Sequence, residues 1–454
     1  MRNRTILKLR ASTLLVGGAA LAVPSDDQIA RLGQDLTPVG AVRAGNADGT
    51  IPEWTGGVTT PPKGWKPGKV RPDLFGDDAV LFKIDRTNVA QHADKLPAGQ
   101  RELIKRYDGY EMHVYPSRRS CGYSQVYYDQ AKINAKVARV DGECFLQGGI
   151  KHPLFPLPED GCQAMWNGSR ARFAGLPASK TSRDTIVTTQ GGDYYVSRRN
   201  DKQHFTSFDP TVKNFAEQEG WATRTLNETL SPPKRAGEIT LVNVEVSGRL
   251  HPWLYNPGQR RVRRAPNFVY DNPVSGWDGL VNIDMVNGFV PPMDRYDWKI
   301  VGKKEMYIPY NAARLRSKKL TYEQLIQPRR PRRDVLRYEL HRVWVIEATI
   351  KKGRRHMMPK RTFYMDEDTW AIVYSDNYDS RGRLFRITEH HPEVIWELPT
   401  CMTTTSFYYD LPSGRYVVAD LQNELPEEDY LVGKKGLVQI DEFTPAAVRR
   451  MGRR

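Results

Sequence analysis

The residues of this chain that could do chemistry are few and lie in short clusters. His390-His391-Pro392-Glu393 is the densest group of metal-ligand types. Neighbouring residues of a strand point to opposite faces of a sheet, so the two imidazoles are not expected to meet at one metal ion. Asn46 and Asp48 are spaced as in a calcium loop, but a turn stabilised by Asx side chains explains the same residues. We predict no metal site and no cofactor.

Three consecutive acidic residues, Asp366, Glu367 and Asp368, could supply paired catalytic carboxylates. They lie between two short apolar segments, and we therefore expect a solvated turn. The sequence contains no serine-hydrolase elbow, zinc-protease helix, phosphate-binding loop or dinucleotide-binding motif. No nucleophile with an adjacent base can be recognised, and we predict that the protein is not an enzyme.

Arginine clusters could bind anions. LYNPGQRRVRRAP spans Leu254–Pro266, PRRPRR spans Pro328–Arg333, and residues 301–360 contain 17 Lys and Arg against five Asp and Glu. We predict that these clusters lie on solvated surface. An alternative function is docking on an envelope partner or anionic surface through residues 301–360, which predicts salt-sensitive binding. The candidate contacts for anionic groups are Arg261, Arg263, Arg329, Arg330, Arg332 and Arg333.

The N-terminus determines how this charge is interpreted. Residues 1–22 hold four basic residues and no acid, followed by a short apolar run and an Ala20-x-Ala22 pattern. This order is typical of a secretory signal peptide cleaved near Ala22, and the apolar run is too short to span a bilayer. We expect a periplasmic protein, with outer-membrane association as an alternative. Its partners would then include anionic lipid headgroups and peripheral membrane, and exclude nucleic acid.

The four cysteines, Cys121, Cys144, Cys162 and Cys401, all follow the predicted signal peptide. An even number in an oxidising compartment predicts two disulfides, and three pairings are open. Because the first three cysteines lie in one loop-rich stretch, we expect one local bridge there. The second bridge would then tie that stretch to Cys401.

The elements that must position these residues are mainly strands. Residues 23–180 are predicted to be an irregular, partly helical segment that wraps residues 181–454, which form an antiparallel sheet, the whole of 23–454 being one structural unit. Period-two patterns such as VWVIEATI, WAIVYSDNY and RYVVADL predict a meander with one apolar, aromatic face and one polar face. The Asn-Pro-Gly turn makes RRVRR the return strand of a hairpin at a wet sheet edge. The fold class is mainly β with a few helices: a large curved sheet, or open half-barrel.

A long curved sheet exposes more concave surface than its own side chains fill, which leaves an apolar pocket under covering helices and loops. We predict that this pocket binds a hydrophobic or lipid-like small molecule. The same residues could also be ordinary core. The candidate wall residues are Trp253, Tyr255, Trp344, Ile346, Phe363, Trp370, Tyr374, Phe385 and Phe407.

Several long segments resemble one family of exported proteobacterial proteins, the domain-of-unknown-function family thirteen twenty-nine, often labelled "outer membrane lipoprotein-sorting protein". They include LTPVGAVRAGNADGTIPEWTGG, YNPGQRRVRRAP, DRYDWKIVGKKEMYIPYN, RYELHRVWVIEATI, MDEDTWAIVYSDNYDSRGRLFRI and YDLPSGRYV. The resemblance implies a half-barrel like that of the periplasmic lipoprotein carriers, with helices over a cavity for acyl chains. It also implies an association with transporters of the resistance-nodulation-division type. It brings no catalytic residues, and the cysteines are not part of its pattern.

Overall fold

The computed structural model describes residues 23–266, 268–428, 430 and 438–452. The predicted signal peptide, residues 1–22, lies outside the described residues. Among the described helices, none combines the length and the apolar character that crossing a membrane requires.

The described residues form six short α-helices, four of which begin with a side-chain cap. Ser25 and Gln28 form a capping box at the first helix, Asp160 caps the fourth, and Thr444 caps the last. These side chains satisfy amide groups that have no partner within the helix. The helices are α1 (Asp26–Ala30), α2 (Ala98–Arg106), α3 (Gln125–Val137), α4 (Gly161–Ala171), α5 (Tyr322–Leu325) and α6 (Pro445–Met451).

Nineteen strands account for most of the regular structure of the described residues. In chain order they are β1 (Phe82–Ile84), β2 (Met112–Tyr115), β3 (Arg139–Val140), β4 (Leu146–Gln147), β5 (Ala178–Thr188), β6 (Tyr194–His204), β7 (Trp221–Thr229), β8 (Ile239–Glu245), β9 (Leu250–Asn256), β10 (Arg261–Arg264), β11 (Tyr296–Pro309), β12 (Ile326–Gln327), β13 (Arg330–Pro331), β14 (Tyr338–Ile350), β15 (Lys360–Asp366), β16 (Ile372–Tyr378), β17 (Leu384–Ile395), β18 (Thr400–Asp410) and β19 (Arg415–Leu421).

Fifteen of these strands form one sheet in the order β1-β2-β14-β15-β16-β17-β18-β19-β5-β6-β7-β8-β9-β10, with β11 paired to β14. Twelve of them form two antiparallel runs, the C-terminal meander (β14–β19) and the N-terminal meander (β5–β10), which are joined where β19 pairs with β5. The sheet is curved and does not close into a barrel, which confirms the predicted fold class. As predicted, the arginine-rich strand β10 lies at the sheet edge, where it pairs with β9.

The register assigns every strand residue to one of two faces. We define the inner face as the one that carries Val187, Val417 and Tyr408, and the outer face as the one that carries Ile186 and Phe407. In the C-terminal meander α4 packs on the inner face, and α2 packs on the outer face. Both faces are therefore buried there, whereas the sequence predicted one face exposed to water. The wrapping elements supply the second cover, and strand periodicity does not reveal them.

Two disulfides link Cys121 to Cys401 and Cys144 to Cys162. The local bridge and the bridge to Cys401 are both as predicted. The first joins the N-terminal segment to β18, and the second joins a loop to the start of α4. Both bridges therefore hold covering elements against the sheet.

Candidate functional site

A cavity of about 310 Å³ lies between the inner face of the N-terminal meander, helix α4 and the segment 268–291. Its sheet wall consists mainly of alternate residues of β6, β7 and β8, with Arg183 of β5 and Leu250 of β9. Its other walls come from α4, from the segment 268–291 and from the end of β19. The lining residues used below are Trp166, Arg170, Arg172, Arg183, Arg199, Asp201, Thr225, Val242, Val244, Glu245, Leu250, Phe289, Pro291 and Asp420.

The period of two along β8 explains why this face is open. Val242 and Val244 line the cavity and are half-buried, whereas Ile239 and Leu241 point to the outer face and are fully buried. The outer face is covered by α6, which contributes Val448 to the same apolar cluster. The outer face of β8 is thus buried under a helix, and its inner face is free to contact a ligand.

One end of the cavity is ionic. Asp420 faces three arginines: Arg172 and Arg199 donate hydrogen bonds to its two carboxylate oxygens, and Arg183 Nη1 lies 3.9 Å away. Arg199 Nε also donates to Asp201 Oδ1 at 3.0 Å. Burial opposes ionisation of Asp420, but the three arginines hold the pKa of its carboxyl well below the usual range. Arg183 also donates to Glu428 Oε1, so the three arginines of this end are matched by three carboxylates.

Arg170 differs from these arginines. It lies in the last turn of α4 with 9% of its surface exposed, and its Nη1 donates to Ser207 Oγ at 2.7 Å. Its Nη2 has no hydrogen-bond partner, and no carboxylate among the described residues lies within ion-pair distance. Burial lowers the pKa of Arg170 to about 10, so the group stays charged at neutral pH. The cavity therefore contains one uncompensated cation.

None of the nine predicted wall residues lines this cavity. Five lie in apolar clusters on the inner face beside it: Trp344, Ile346, Phe363 and Trp370 in one, and Phe385 in another. Four lie on the outer face: Tyr374 and Phe407 in the large core, and Trp253 and Tyr255 beneath α6. The candidate ligand contacts therefore move from these aromatic side chains to the residues of the cavity.

A β-bulge explains part of this difference. Strict alternation along WAIVYSDNY would place Trp370, Ile372 and Tyr374 on one face. The pairing of β15 with β16 shifts between Tyr364–Tyr374 and Met365–Ile372, so that Val373 is the extra residue. A single bulged residue reverses the faces beyond it.

The acidic turn after β15 is buried, and the prediction of a solvated turn is wrong. Asp366, Glu367 and Asp368 are 1%, 2% and 5% exposed. Arg119 covers the turn: its Nε and Nη2 bind both oxygens of Asp368, and it also donates to the carbonyl of Arg43. The loop that contains residue 43 is thereby fixed onto the sheet.

His341 completes a group with Asp366 and Asp368 whose ligand-type atoms all lie within 4.8 Å of one another. Burial, and next the charge of Asp368, raise the pKa of Asp366 to about 7. Both oxygens of Asp368 are engaged by Arg119, and His341 Nε2 lies 3.1 Å from Glu339. These contacts match a structural charge cluster better than a metal centre.

The other proposed metal groups are structural in their contacts. His390 contacts Ser406 Oγ at 2.8 Å, while His391 lies 3.1 Å from Glu389 on the outer face. Burial, and next Arg172, lower the pKa of His390 to about 3, so this imidazole is neutral. As expected for a turn stabilised by Asx side chains, Asn46 Oδ1 accepts from the Ile51 amide. Asp48 similarly accepts from the Thr50 amide.

The candidate anion contacts differ widely in exposure. Arg261, Arg263 and Arg329 are exposed, and Arg330 and Arg332 are half-buried. Arg333 is only 2% exposed, stacks 3.8 Å above Tyr110 and pairs with Glu389, so its prediction as a surface contact is wrong. Glu389 is an internal carboxylate of β17, and the sequence does not show that a distant arginine compensates it. The surplus charge of residues 301–360 is partly consumed inside the protein.

The residues that line the cavity were missed by the sequence analysis. Their only local signal is the period-two run of small polar residues in β7, where Thr223, Thr225, Asn227 and Thr229 alternate with other types. Such a run is equally typical of an ordinary solvated strand face. The position of α4 opposite this run is not encoded locally.

The fold and the cavity define a class of protein: an open antiparallel sheet whose inner face is partly filled by a helix and partly free around an internal cavity. The chain belongs to the DUF1329 family, described as a protein family of unknown function, whose model matches residues 83–449. This confirms the resemblance of the sequence. The uncharacterized protein PA3922 of Pseudomonas aeruginosa is 36% identical over 452 residues, covering 96% of each chain.

Solved structures with a similar chain path share little sequence. One is described as an outer membrane lipoprotein-sorting protein domain from Vibrio parahaemolyticus, with 13% identity and a TM-score of 0.41 over 62% of this chain and 95% of that one. Another is a DUF1329 family protein from Desulfovibrio piger, with 16% identity and a TM-score of 0.40 over 64% and 99%. A third is the LolA superfamily protein NE2245 from Nitrosomonas europaea, with 13% identity and a TM-score of 0.36 over 60% and 100%.

Proposed function

We propose that this protein is a non-enzymatic carrier or binding protein of the bacterial periplasm that holds a hydrophobic or lipid-like molecule in the cavity between α4 and the N-terminal meander. The observation that carries the proposal is the cavity itself. At about 310 Å³ it has the size of small-molecule binding sites. Its walls combine apolar side chains with polar and charged side chains that could orient a ligand.

The chemistry of the walls supports binding more than catalysis. The described lining contains no histidine, cysteine or lysine, and four of its five arginines are bound to carboxylates. A general base needs a titratable group free to take a proton near neutral pH. Arg170 does not meet this requirement, because it stays protonated. The residues in place can hold a molecule and fix its orientation.

Extraction of the protein purified from the periplasm, followed by mass spectrometry, tests the proposal. We expect one class of hydrophobic compound at near one molecule per chain. Val242→Trp should fill the cavity and remove that compound. Val126→Trp is the matched control, since Val126 is 59% exposed on α3 and should retain the compound.

Two results would overturn the proposal. One is a purified protein that carries no hydrophobic compound and takes up none when lipids are added. The other is an unchanged yield of compound from Val242→Trp with its fold intact by circular dichroism. The second result would show that the compound binds elsewhere.

Location and partner are separate parts of the proposal. N-terminal sequencing of the mature protein should begin near Val23 if the predicted signal peptide is cleaved. The name of the Vibrio parahaemolyticus domain refers to lipoprotein sorting at the outer membrane, which agrees with an envelope location. The association with a resistance-nodulation-division transporter stays a prediction of the sequence resemblance, and co-purification after crosslinking in the envelope would test it.

A further inference from the structure

The cavity contains one charge, that of Arg170, which the described residues do not compensate. The inference drawn from this charge rests on the proposed function and specifies the class of its ligand. We infer that Arg170 binds the single anionic headgroup, a carboxylate or a phosphate, of an amphiphile whose apolar chain lies along Val242, Val244 and Phe289. The ligand class is therefore a one-chain acid, such as a fatty acid or an alkyl phosphate, and not a neutral hydrocarbon or sterol.

The contrast with the neighbouring arginines is the first part of the argument. Arg172, Arg183 and Arg199 all line the same cavity, and each forms an ion pair with Asp201, Asp420 or both. Arg170 has no such partner in the described ranges. Burying a charge is costly unless it is paired, so an unpaired buried arginine beside a cavity points to a partner that arrives from outside.

The geometry of Arg170 is the second part. Ser207 Oγ accepts from Arg170 Nη1 and itself donates to Gln218 Oε1, which fixes the guanidinium in place. Trp166 lies below it, with 5.7 Å between the guanidinium carbon and the ring centroid. Nη2 is left without a partner. A guanidinium fixed at one nitrogen and free at another is suited to bind a carboxylate or phosphate oxygen.

The third part is that the acids on the cavity wall are engaged elsewhere. Asp201 and Asp420 are bound by arginines at the ionic end. Glu245 lies 2.6 Å from His251 Nε2 and also accepts from Ser247. None of these carboxylates is in contact with Arg170, so an anionic headgroup would meet a cation and no bound competitor.

The fourth part is the apolar surface near this cation. Trp166, Leu250 and Pro291 line the cavity together with Val242 and Val244. The Cβ of a side chain at Gly248 would lie 3.0 Å from Trp166 and 2.9 Å from Pro291, so these three residues converge at one point. An alkyl chain anchored at Arg170 could pass along this wall, where apolar burial contributes to binding.

The test compares probes that share a chain and differ in headgroup: dodecanoate, dodecyl phosphate and dodecanol, with inorganic phosphate as a probe that has no chain. Binding to the delipidated full-length mature protein is measured by calorimetry. We expect both anionic amphiphiles to bind at least about tenfold more tightly than dodecanol, because a hydrogen bond to a charged group contributes about 1.5–3 kcal/mol. Inorganic phosphate should bind far more weakly than dodecyl phosphate.

The variant Arg170→Met should remove the preference for the anionic probes while dodecanol binds as before. Arg170→Lys should retain part of the preference, because it keeps the charge. Arg224→Met is the matched control: Arg224 donates to Thr206, forms no ion pair within the described residues and does not line the cavity. Because Arg170 is unpaired, we expect Arg170→Met to fold, with an unfolding midpoint equal to or above that of the wild type.

The outcomes separate the inference from the proposed function. Equal affinity of the wild type for dodecanol and dodecanoate, or an unchanged preference in Arg170→Met, overturns the inference and leaves the carrier function standing. Failure of every chain-bearing probe to bind overturns the proposed function. Equal binding of inorganic phosphate and dodecyl phosphate also overturns the inference, since the site would then recognise a small anion without a chain.

Discussion

The two meanders of the sheet are built from similar strands but are buried differently. Every residue of β18, in the C-terminal meander, is buried. In β7, in the N-terminal meander, only Ala222 and Leu226 are buried. Helix α4 packs against the inner face of the C-terminal meander. Over the N-terminal meander the same helix forms one wall of the cavity.

This difference in burial suggests that the two meanders have different roles, one in stability and one in binding. A strand covered on both faces is fixed by packing, and a mutation there leaves a void. A strand that faces a cavity can lose or gain a contact without collapse of the fold, and its inner face is free for an occupant that comes and goes. The C-terminal meander is therefore the scaffold, and the N-terminal meander is the part that we propose to bind a ligand.

The largest expected effect concerns the two disulfides that hold covering elements against the scaffold. Replacing Cys121 and Cys401 by serine should lower the free energy of unfolding by about 5 kcal/mol, because the bridge spans a sequence separation of 280 residues. Replacing Cys144 and Cys162, which hold the start of α4 and are 18 residues apart, should cost about 3 kcal/mol. Urea unfolding of both variants measures the two losses of unfolding free energy. A larger loss for the Cys144–Cys162 variant than for the Cys121–Cys401 variant would contradict the prediction.

The next effect compares one buried side chain from each meander. Phe363→Ala should lower stability by about 4 kcal/mol, because Phe363 is fully buried in the scaffold and its truncation creates a cavity. Val242→Ala should cost about 1 kcal/mol or less, because the residue already borders a cavity. Similar shifts of the urea midpoint for the two variants would mean that the N-terminal meander is packed as tightly as the scaffold.

The third prediction concerns the pH dependence of the free energy of unfolding. Burial raises the pKa of Asp376 on β16 to about 6 although the Gly99 amide and Tyr364 bind the carboxylate. The folded chain therefore holds this proton more firmly than the unfolded chain. The stabilisation is complete below the ordinary value of 3.8 and declines as pH rises through about 6, by up to about 3 kcal/mol. Asp376→Asn should remove this decline in unfolding free energies measured from pH 4 to 7, and an unchanged slope would contradict the assignment.

Asp420 at the cavity should act in the opposite direction. The arginines around it keep the pKa of its carboxyl far below the usual range against the effect of burial. Its stabilising contribution is therefore present above the ordinary pKa and is lost as the pH falls through the folded value. The scaffold aspartate and the cavity aspartate are thus distinguished by the sign of their pH dependence.

The smallest effect concerns the edge of the N-terminal meander. Replacing Arg261 and Arg263 together by serine should change stability by less than about 0.5 kcal/mol, because both side chains are exposed on β10. If these arginines contact anionic headgroups, adsorption to phosphatidylglycerol vesicles should weaken about fivefold per arginine at low salt. High salt should abolish the difference from the wild type. Wild-type adsorption at low salt by the double variant would exclude the contact.

The strands and turns of the scaffold could be read from the sequence with good accuracy, because hydrophobic alternation and turn residues act locally. The hairpins around Asp379–Gly382 and Leu411–Gly414 turn at Asp, Pro, Ser and Gly residues, which are typical of tight turns. The edge strand after Asn256-Pro257-Gly258 and the general pattern of the two disulfides were also predicted. The faces of residues beyond Val373 were not, because a bulge depends on the partner strand.

The sequence by itself determined the fold class, the order of the C-terminal meander and the family. Each of these depends on periodicity or on long matching segments, which are local properties of the chain. Only the tertiary structure decided where the cavity lies and which charge in it is free. Arg170 on α4 and Asp420 in β19 are ordinary residues in the sequence. Their roles arise because long-range packing gives Asp420 three arginines and gives Arg170 no carboxylate.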